Sequence, residues 1–141
     1  MKTPCYFLFS FFLFVSCATG KKQQDFSDKE RLIFGEGGGF TGAVKEYCVL
    51  KNGYLFQKEE YEKSYTFRKK IKRKAAGNFF KTYNQKEIHT LNLNEPGNKY
   101  YFIVYYKKDK MYRITWGRNQ ETVPESVKEL YRSLKQSLKI D

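Results

Sequence analysis

Two runs of strand-forming residues, Ala43–Leu50 and Tyr54–Lys58, meet at Asn52-Gly53, and that pair constrains the chain more than any other local feature. Asn-Gly favours a tight type I′ turn, in which both central residues take positive φ, and such a turn joins neighbouring antiparallel strands. A second hairpin is predicted farther along. Tyr100–Tyr106 is a dense aromatic and β-branched run, Lys107-Lys108-Asp109-Lys110 turns it, and Met111–Trp116 returns. Between the hairpins the period changes. Over 66–83, Phe67, Ile71, Ala75 and Phe79 fall at i, i+4, i+8 and i+12, with Phe80 beside them, which predicts a helix whose last turn Gly77-Asn78 weakens. After Pro124, placed as a helix N1 proline with Glu125 behind it, Val127, Leu130, Tyr131, Leu134 and Leu138 form a second stripe. With Arg31–Phe34 as a short preceding strand, the order is strands, helix, strands, helix. The expectation is an α+β domain: a four-stranded antiparallel sheet of two hairpins, with two helices packed on one face. Phe79, Phe102, Trp116, Leu130 and Leu134 should lie in its core.

The N-terminus carries a different signal. Lys2 is the only charge before Lys21, and between them Tyr6–Val15 is an apolar run, shorter than the roughly 20 residues of a membrane span. The run ends in Phe14-Val15-Ser16-Cys17, which resembles the lipobox of bacterial lipoproteins. The Cys thiol takes a diacylglyceryl group, and a small residue must precede it because the peptidase pocket is narrow. The competing reading is a plain secretory signal with Cys17 incidental. On the first reading residues 1–16 are a signal peptide, 17–29 are the lipidated Cys and a polar flexible tether, and 30–141 are one domain. Several acyl chains on one terminus exceed what stable anchoring needs. Cys5 leaves with the signal and Cys17 is acylated, so Cys48 has no intrachain partner and no disulfide framework exists. In its strand-like run Cys48 reads as a buried small hydrophobe.

Five separated motifs carry a wider resemblance: Phe34-Gly35-Glu36-Gly37-Gly38-Gly39-Phe40-Thr41-Gly42, Tyr47, Asn52-Gly53, Pro96-Gly97-Asn98 before Tyr100-Tyr101-Phe102, and Ile114-Thr115-Trp116-Gly117. Together they resemble a group of small lipoproteins of the Bacteroidetes over essentially the whole chain. That resemblance implies an envelope location and no particular activity. Gly38-Gly39-Phe40-Thr41-Gly42 and the order of elements are also similar to emfourin-type inhibitors of thermolysin-like metallopeptidases, which implies a peptidase as partner. Lys21-Lys22-Gln23 after the lipid Cys lacks the acidic cluster that resembles a surface-export signal in this bacterial group, so a periplasm-facing position is expected.

Catalytic chemistry finds little support. The glycine-rich segment lacks the Lys-Ser or Lys-Thr of a P-loop and does not open a helix after a strand. Its glycines mark either close backbone approach and positive φ, or a projecting loop of Gly37, Gly38, Gly39, Phe40, Thr41 and Gly42 that inserts Phe40 into a partner. One His, His89, and one spare Cys give no metal-ligand spacing and no nucleophile–base pair. Glu59-Glu60 reads as a solvated strand end. No enzyme activity, cofactor or metal is expected.

The net charge of +12 gathers locally in Arg68, Lys69, Lys70, Lys72 and Arg73, on the polar faces of the first predicted helix. With 18% aromatic residues, such a basic stretch raises nucleic-acid binding, but an exported lipoprotein rarely meets nucleic acid and the aromatics occupy strand positions. A solvated helix face and a surface for anionic headgroups remain. The expected function is a lipid-anchored, non-catalytic envelope module that binds an envelope protein, with a peptidase as a candidate target. The alternative is a structural envelope protein that binds anionic membrane or cell wall through the basic helix.

Overall fold

The computed structural model describes residues 26, 28–117 and 121–139. Seven strands and two α-helices follow one another as β1 (Arg31–Gly38), β2 (Val44–Leu50), β3 (Tyr54–Glu59), β4 (Thr66–Lys70), α1 (Arg73–Gln85), β5 (Asn94–Glu95), β6 (Lys99–Lys107), β7 (Lys110–Gly117) and α2 (Glu125–Gln136). All seven strands form one sheet in the order β4-β3-β2-β1-β6-β7-β5, antiparallel except where β5 runs parallel to β7. The four-stranded sheet of two hairpins is therefore corrected to a seven-stranded mixed sheet, while the α+β kind stands.

Three strands account for the difference. β1 is eight residues long rather than four and sits at the centre, pairing with β2 on one side and β6 on the other. Glycines inside a strand normally weaken it. Here Gly35 and Gly37 stand directly opposite Phe102 and Tyr100, whose rings fold over the positions where side chains would be. β4 occupies the stretch read as the start of the first helix. Phe67 lies on this strand, its ring 5.8 Å from Phe56 and 6.0 Å from Tyr54 across the β3–β4 pair. The helical spacing from Phe67 to Phe79 thus spans a strand and a helix, and α1 begins only at Arg73, burying Ala76, Phe79, Phe80 and Tyr83. β5 is two residues held by long-range pairing to Thr115 and Trp116.

The Asn52-Gly53 hairpin forms with a different turn. Gly53 alone takes positive φ (95°), and its N–H donates to the Leu50 carbonyl at 2.9 Å, so three residues rather than two close the loop. A Cβ on Gly53 would lie 2.3 Å from the Ile71 carbonyl oxygen, which reserves the position for glycine.

Both helices pack on one face of the sheet, where Leu32, Phe34, Val49, Leu55, Ile103 and Ile114 alternate inward against α1 and α2. On α2, Val127, Leu130, Tyr131 and Leu134 are buried, as the sequence stripe requires, each apolar side chain contributing about 1.5–3 kcal/mol. Phe79, Phe102, Trp116, Leu130 and Leu134 are all buried. The opposite face holds a second cluster: Ile33, Cys48, Leu50, Phe56, Phe102 and Val104. No helix covers it. Phe26 and Tyr65 do, with the Phe26 ring 4.8 Å from Phe56 and 5.6 Å from Tyr65. Phe26, within the stretch read as tether, is therefore part of the packed domain.

Candidate functional site

The glycine-rich segment divides into a root and a tip. In the root, Gly37 lies under the Tyr100 ring, and a Cβ on Gly38 would meet the Asn98 carbonyl oxygen at 2.0 Å. Gly39 N–H donates to that same oxygen at 2.7 Å, which ties the root to the chain entering β6. Gly37 thus makes room for the Tyr100 ring and Gly38 for the Asn98 backbone, both at the end of β1. The tip is Gly39, Phe40, Thr41 and Gly42. It turns through positive φ at Gly39 and Gly42, and Gly42 N–H donates to Gly39 O at 3.2 Å. Phe40 stands at the end of this hairpin fully exposed, without a ring or polar contact to the rest of the domain among the described residues. The root opens on one side to a cleft of about 420 Å³ lined by Glu36, Lys45, Lys99, Tyr100 and Tyr101.

The basic residues do not share a helix face, which corrects the amphipathic reading of 68–74. Arg68, Lys69 and Lys70 are on the edge strand β4, Lys72 precedes α1, and Arg73 opens it. Arg68 donates to Gln57 Oε1 and, at 3.4 Å, to the Leu138 carbonyl, and its guanidinium lies 5.8 Å from the Tyr47 ring. Lys69 Nζ donates to the Lys139 carbonyl. Both cations therefore neutralise carbonyls beyond the C-terminal end of α2, where positive charge is favourable. Lys70 Nζ stands 5.0 Å from the Tyr54 ring centre. Lys72 and Arg73 are exposed, so strand alternation and a helix start disperse the five charges.

Cys48 is buried, and that burial pushes its thiol up to about 12, which keeps it protonated and inert at neutral pH. His89 is exposed, with its ring 5.6 Å from Tyr112. Glu59 and Glu60 are exposed at the end of β3. Among the described residues no three His, Cys, Asp or Glu side chains group as a metal site, and no helix is long and apolar enough to cross a membrane. Cys17, the expected lipidation site, lies outside the described residues.

Another concave feature was not legible from sequence. Beside the hairpin root, an aromatic group forms where Tyr101 and Trp116 from neighbouring strands meet Tyr131 of α2, with ring centres 5.2–5.9 Å apart. Tyr131 OH donates to the Gly35 carbonyl at 3.0 Å, which fixes α2 to the middle of β1. With the Gly35 carbonyl the group draws on four separate elements, so no local run of sequence announces it. Compared with protein-family models and with curated proteins, the chain matches none.

Proposed function

We propose that the chain is a lipid-anchored, non-catalytic module of a bacterial envelope that binds a protein partner through the Gly39–Gly42 hairpin tip. One observation carries this reading: a fully exposed Phe40 at the end of a hairpin whose root is held rigidly. Burying such a ring in a partner pocket releases about 1.5–3 kcal/mol that the fold itself leaves unused. A preformed root lowers the ordering cost of presenting it. Aromatic side chains that enter fully desolvated pockets are what dominate interface energies. The resemblance to emfourin-type inhibitors makes a thermolysin-like peptidase the first partner to assay.

The anchor sets the geometry of encounter. From a lipidated Cys17 to Phe26, nine residues reach at most about 30 Å, so the domain would work close to its own membrane. The periplasm-facing side of an envelope membrane suits that reach.

The test is photocross-linking in cells with a benzophenone amino acid at position 40. A discrete adduct is expected there and none at Tyr61, another highly exposed aromatic, on the β3–β4 connection. Adducts of equal intensity at both positions would show non-specific collision and overturn the reading.

A further inference from the structure

Between the hairpin root and α2 runs a trough whose charge is one-sided. Its first half is the 420 Å³ cleft at the root; its second, of about 320 Å³, lies against α2, and Glu36 and Tyr101 line both. Lys128, Arg132 and Lys135 fall at i, i+4 and i+7 of α2, so one face of the helix aims three cations at the same space. Lys45 and Lys99, from β2 and β6, bound the other half. Against these five cations the walls hold, among the described residues, one carboxylate, Glu36, which binds Lys135 Nζ at 3.1 Å. Arg132 has a carboxylate only outside the trough, Glu125 at 2.8 Å, and both groups are well exposed, so that pair is weak. Lys99 and Lys128 form no salt bridge among the described residues, and neither does Lys45, although Glu36 and Glu59 stand opposite it in the ladders. The floor is rigid and largely apolar, because Tyr101, Trp116 and Tyr131 pack on one another and Tyr131 is tied to Gly35.

A fixed aromatic floor beneath uncompensated cations selects an occupant that supplies several carboxylates along a narrow backbone. We propose that the trough receives an acidic extended segment of the protein partner, lying over Tyr101 with its carboxylates facing Lys99, Lys128 and Arg132. This deepens the protein-binding reading above and rests on it for the class of partner. Glu36 is the internal competitor of such a segment: it occupies Lys135 at the point where the two halves meet, and a partner carboxylate displaces it there. Complementary charge of this kind steers encounter and excludes neutral or basic segments.

The chain's single tryptophan, Trp116, lines the trough, so intrinsic fluorescence reports its occupancy. The experiment titrates the full chain in mild detergent with a synthetic peptide of alternating Glu and Ala, with its Gln-Ala counterpart, and with oligogalacturonate. The Glu-Ala peptide is expected to change Trp116 emission saturably, with affinity falling steeply as salt is added, and the Gln-Ala peptide to leave it unchanged. Lys128→Glu with Arg132→Glu should weaken binding at least about tenfold, and Glu36→Gln should tighten it several-fold. The second variant removes an acid from the surface and leaves the core untouched, so it reads the trough even where the double reversal perturbs α2. Equal responses to the Glu and Gln peptides, or an affinity that Glu36→Gln does not raise, overturn the proposal. A response to oligogalacturonate without one to the Glu-Ala peptide overturns it too, in favour of an acidic saccharide. Phe40→Ala should leave this titration unchanged. A silent titration beside intact cross-linking at position 40 therefore defeats the trough alone, and the reverse result defeats the hairpin alone.

Discussion

The ring of Phe102 lies over Gly35, its directly opposed partner across β1 and β6. A Cβ at Gly35 would sit 2.7 Å from the ring's Cζ and 2.1 Å from the Lys45 carbonyl oxygen. The ring could yield, but the carbonyl belongs to the β1–β2 ladder and cannot. Gly35→Ala should therefore destabilise by about 1–3 kcal/mol, the range of an overpacked core, as read from urea midpoints. A loss below about 0.5 kcal/mol would class Gly35 with ordinary surface positions and remove the reason for a glycine in the central strand.

That glycine also explains which parts of the fold were legible in sequence. The β6–β7 hairpin and α2 announce themselves because every residue of their patterns does the same job: Ile103 and Ile114 face inward in register, and Val127, Leu130, Tyr131 and Leu134 share a stripe. β1 does not, since Gly35 and Gly37 lack strand propensity and acquire a place only through rings more than 60 residues away. β4 was misread because Phe67 happened to continue the period of α1, whereas its contacts are cross-strand ones to Tyr54 and Phe56. β5 consists of two polar residues with no local signal at all. Of the candidate site, Phe40 at a glycine-flanked tip was readable, but the Tyr101–Trp116–Tyr131 floor exists only after the sheet has closed.

Leu130 and Tyr131 are neighbours on α2 with different tasks. Leu130 is buried in the helix-side core, while Tyr131 adds a hydrogen bond to the Gly35 carbonyl. Leu130→Ala should cost about 2–5 kcal/mol. Tyr131→Phe keeps the ring and should cost only about 0.5–1.5 kcal/mol. Equal losses for the two, measured by chemical denaturation, would mean that the hydroxyl secures α2 as much as the packing does.

Stability should fall in alkali before ordinary lysines titrate. Burial pushes the Cys48 thiol up to about 12, and burial followed by its hydrogen bond to Glu30 pushes the Tyr105 phenol up to about 12. In the unfolded chain these groups ionise near about 8.5 and 10. The native state thus keeps protons that the unfolded state releases, so both contributions are complete below about pH 8.5 and shrink as pH rises toward 12. Urea midpoints should decline over that window, and Cys48→Ala should delay the onset of the decline. A native chain whose Cys48 reacts with a thiol reagent at pH 8 as fast as the unfolded chain would contradict the burial on which this rests.

Cys17→Ala tests the anchor, which rests on Ser16-Cys17 after the apolar run. The variant should accumulate as a longer, mis-processed species that incorporates no fatty-acid analogue and leaves the membrane fraction. Continued labelling at unchanged membrane association would remove the lipoprotein reading and leave the hairpin and trough to be explained in another compartment.

Two surfaces compete for the principal binding role, and substitutions can separate them. The Phe40 side chain is fully exposed, so Phe40→Ala should change stability by less than about 0.5 kcal/mol while abolishing capture of the partner found by cross-linking. The basic residues need a more selective design. Reversing Arg68 or Lys69 would remove donors from the Leu138 and Lys139 carbonyls and loosen the end of α2, so a loss of binding there would be ambiguous. Lys70, Lys72 and Arg73 are exposed and hold no such carbonyl, so their triple change to Glu tests charge without that cost. If the chain acts through anionic surfaces, the triple variant should lose binding to vesicles rich in anionic lipid, wild-type binding should fall steeply with salt, and Phe40→Ala should be silent. The geometry favours the opposite pattern. The five cations are split between a strand edge and a helix start, two are occupied by carbonyls, and one lies against the Tyr54 ring. The triple variant is therefore expected to capture the protein partner with at least half the wild-type yield, a threshold of roughly RT ln 2, or about 0.4 kcal/mol. Loss of capture in the triple variant with full capture by Phe40→Ala would transfer the function from the hairpin to the basic edge.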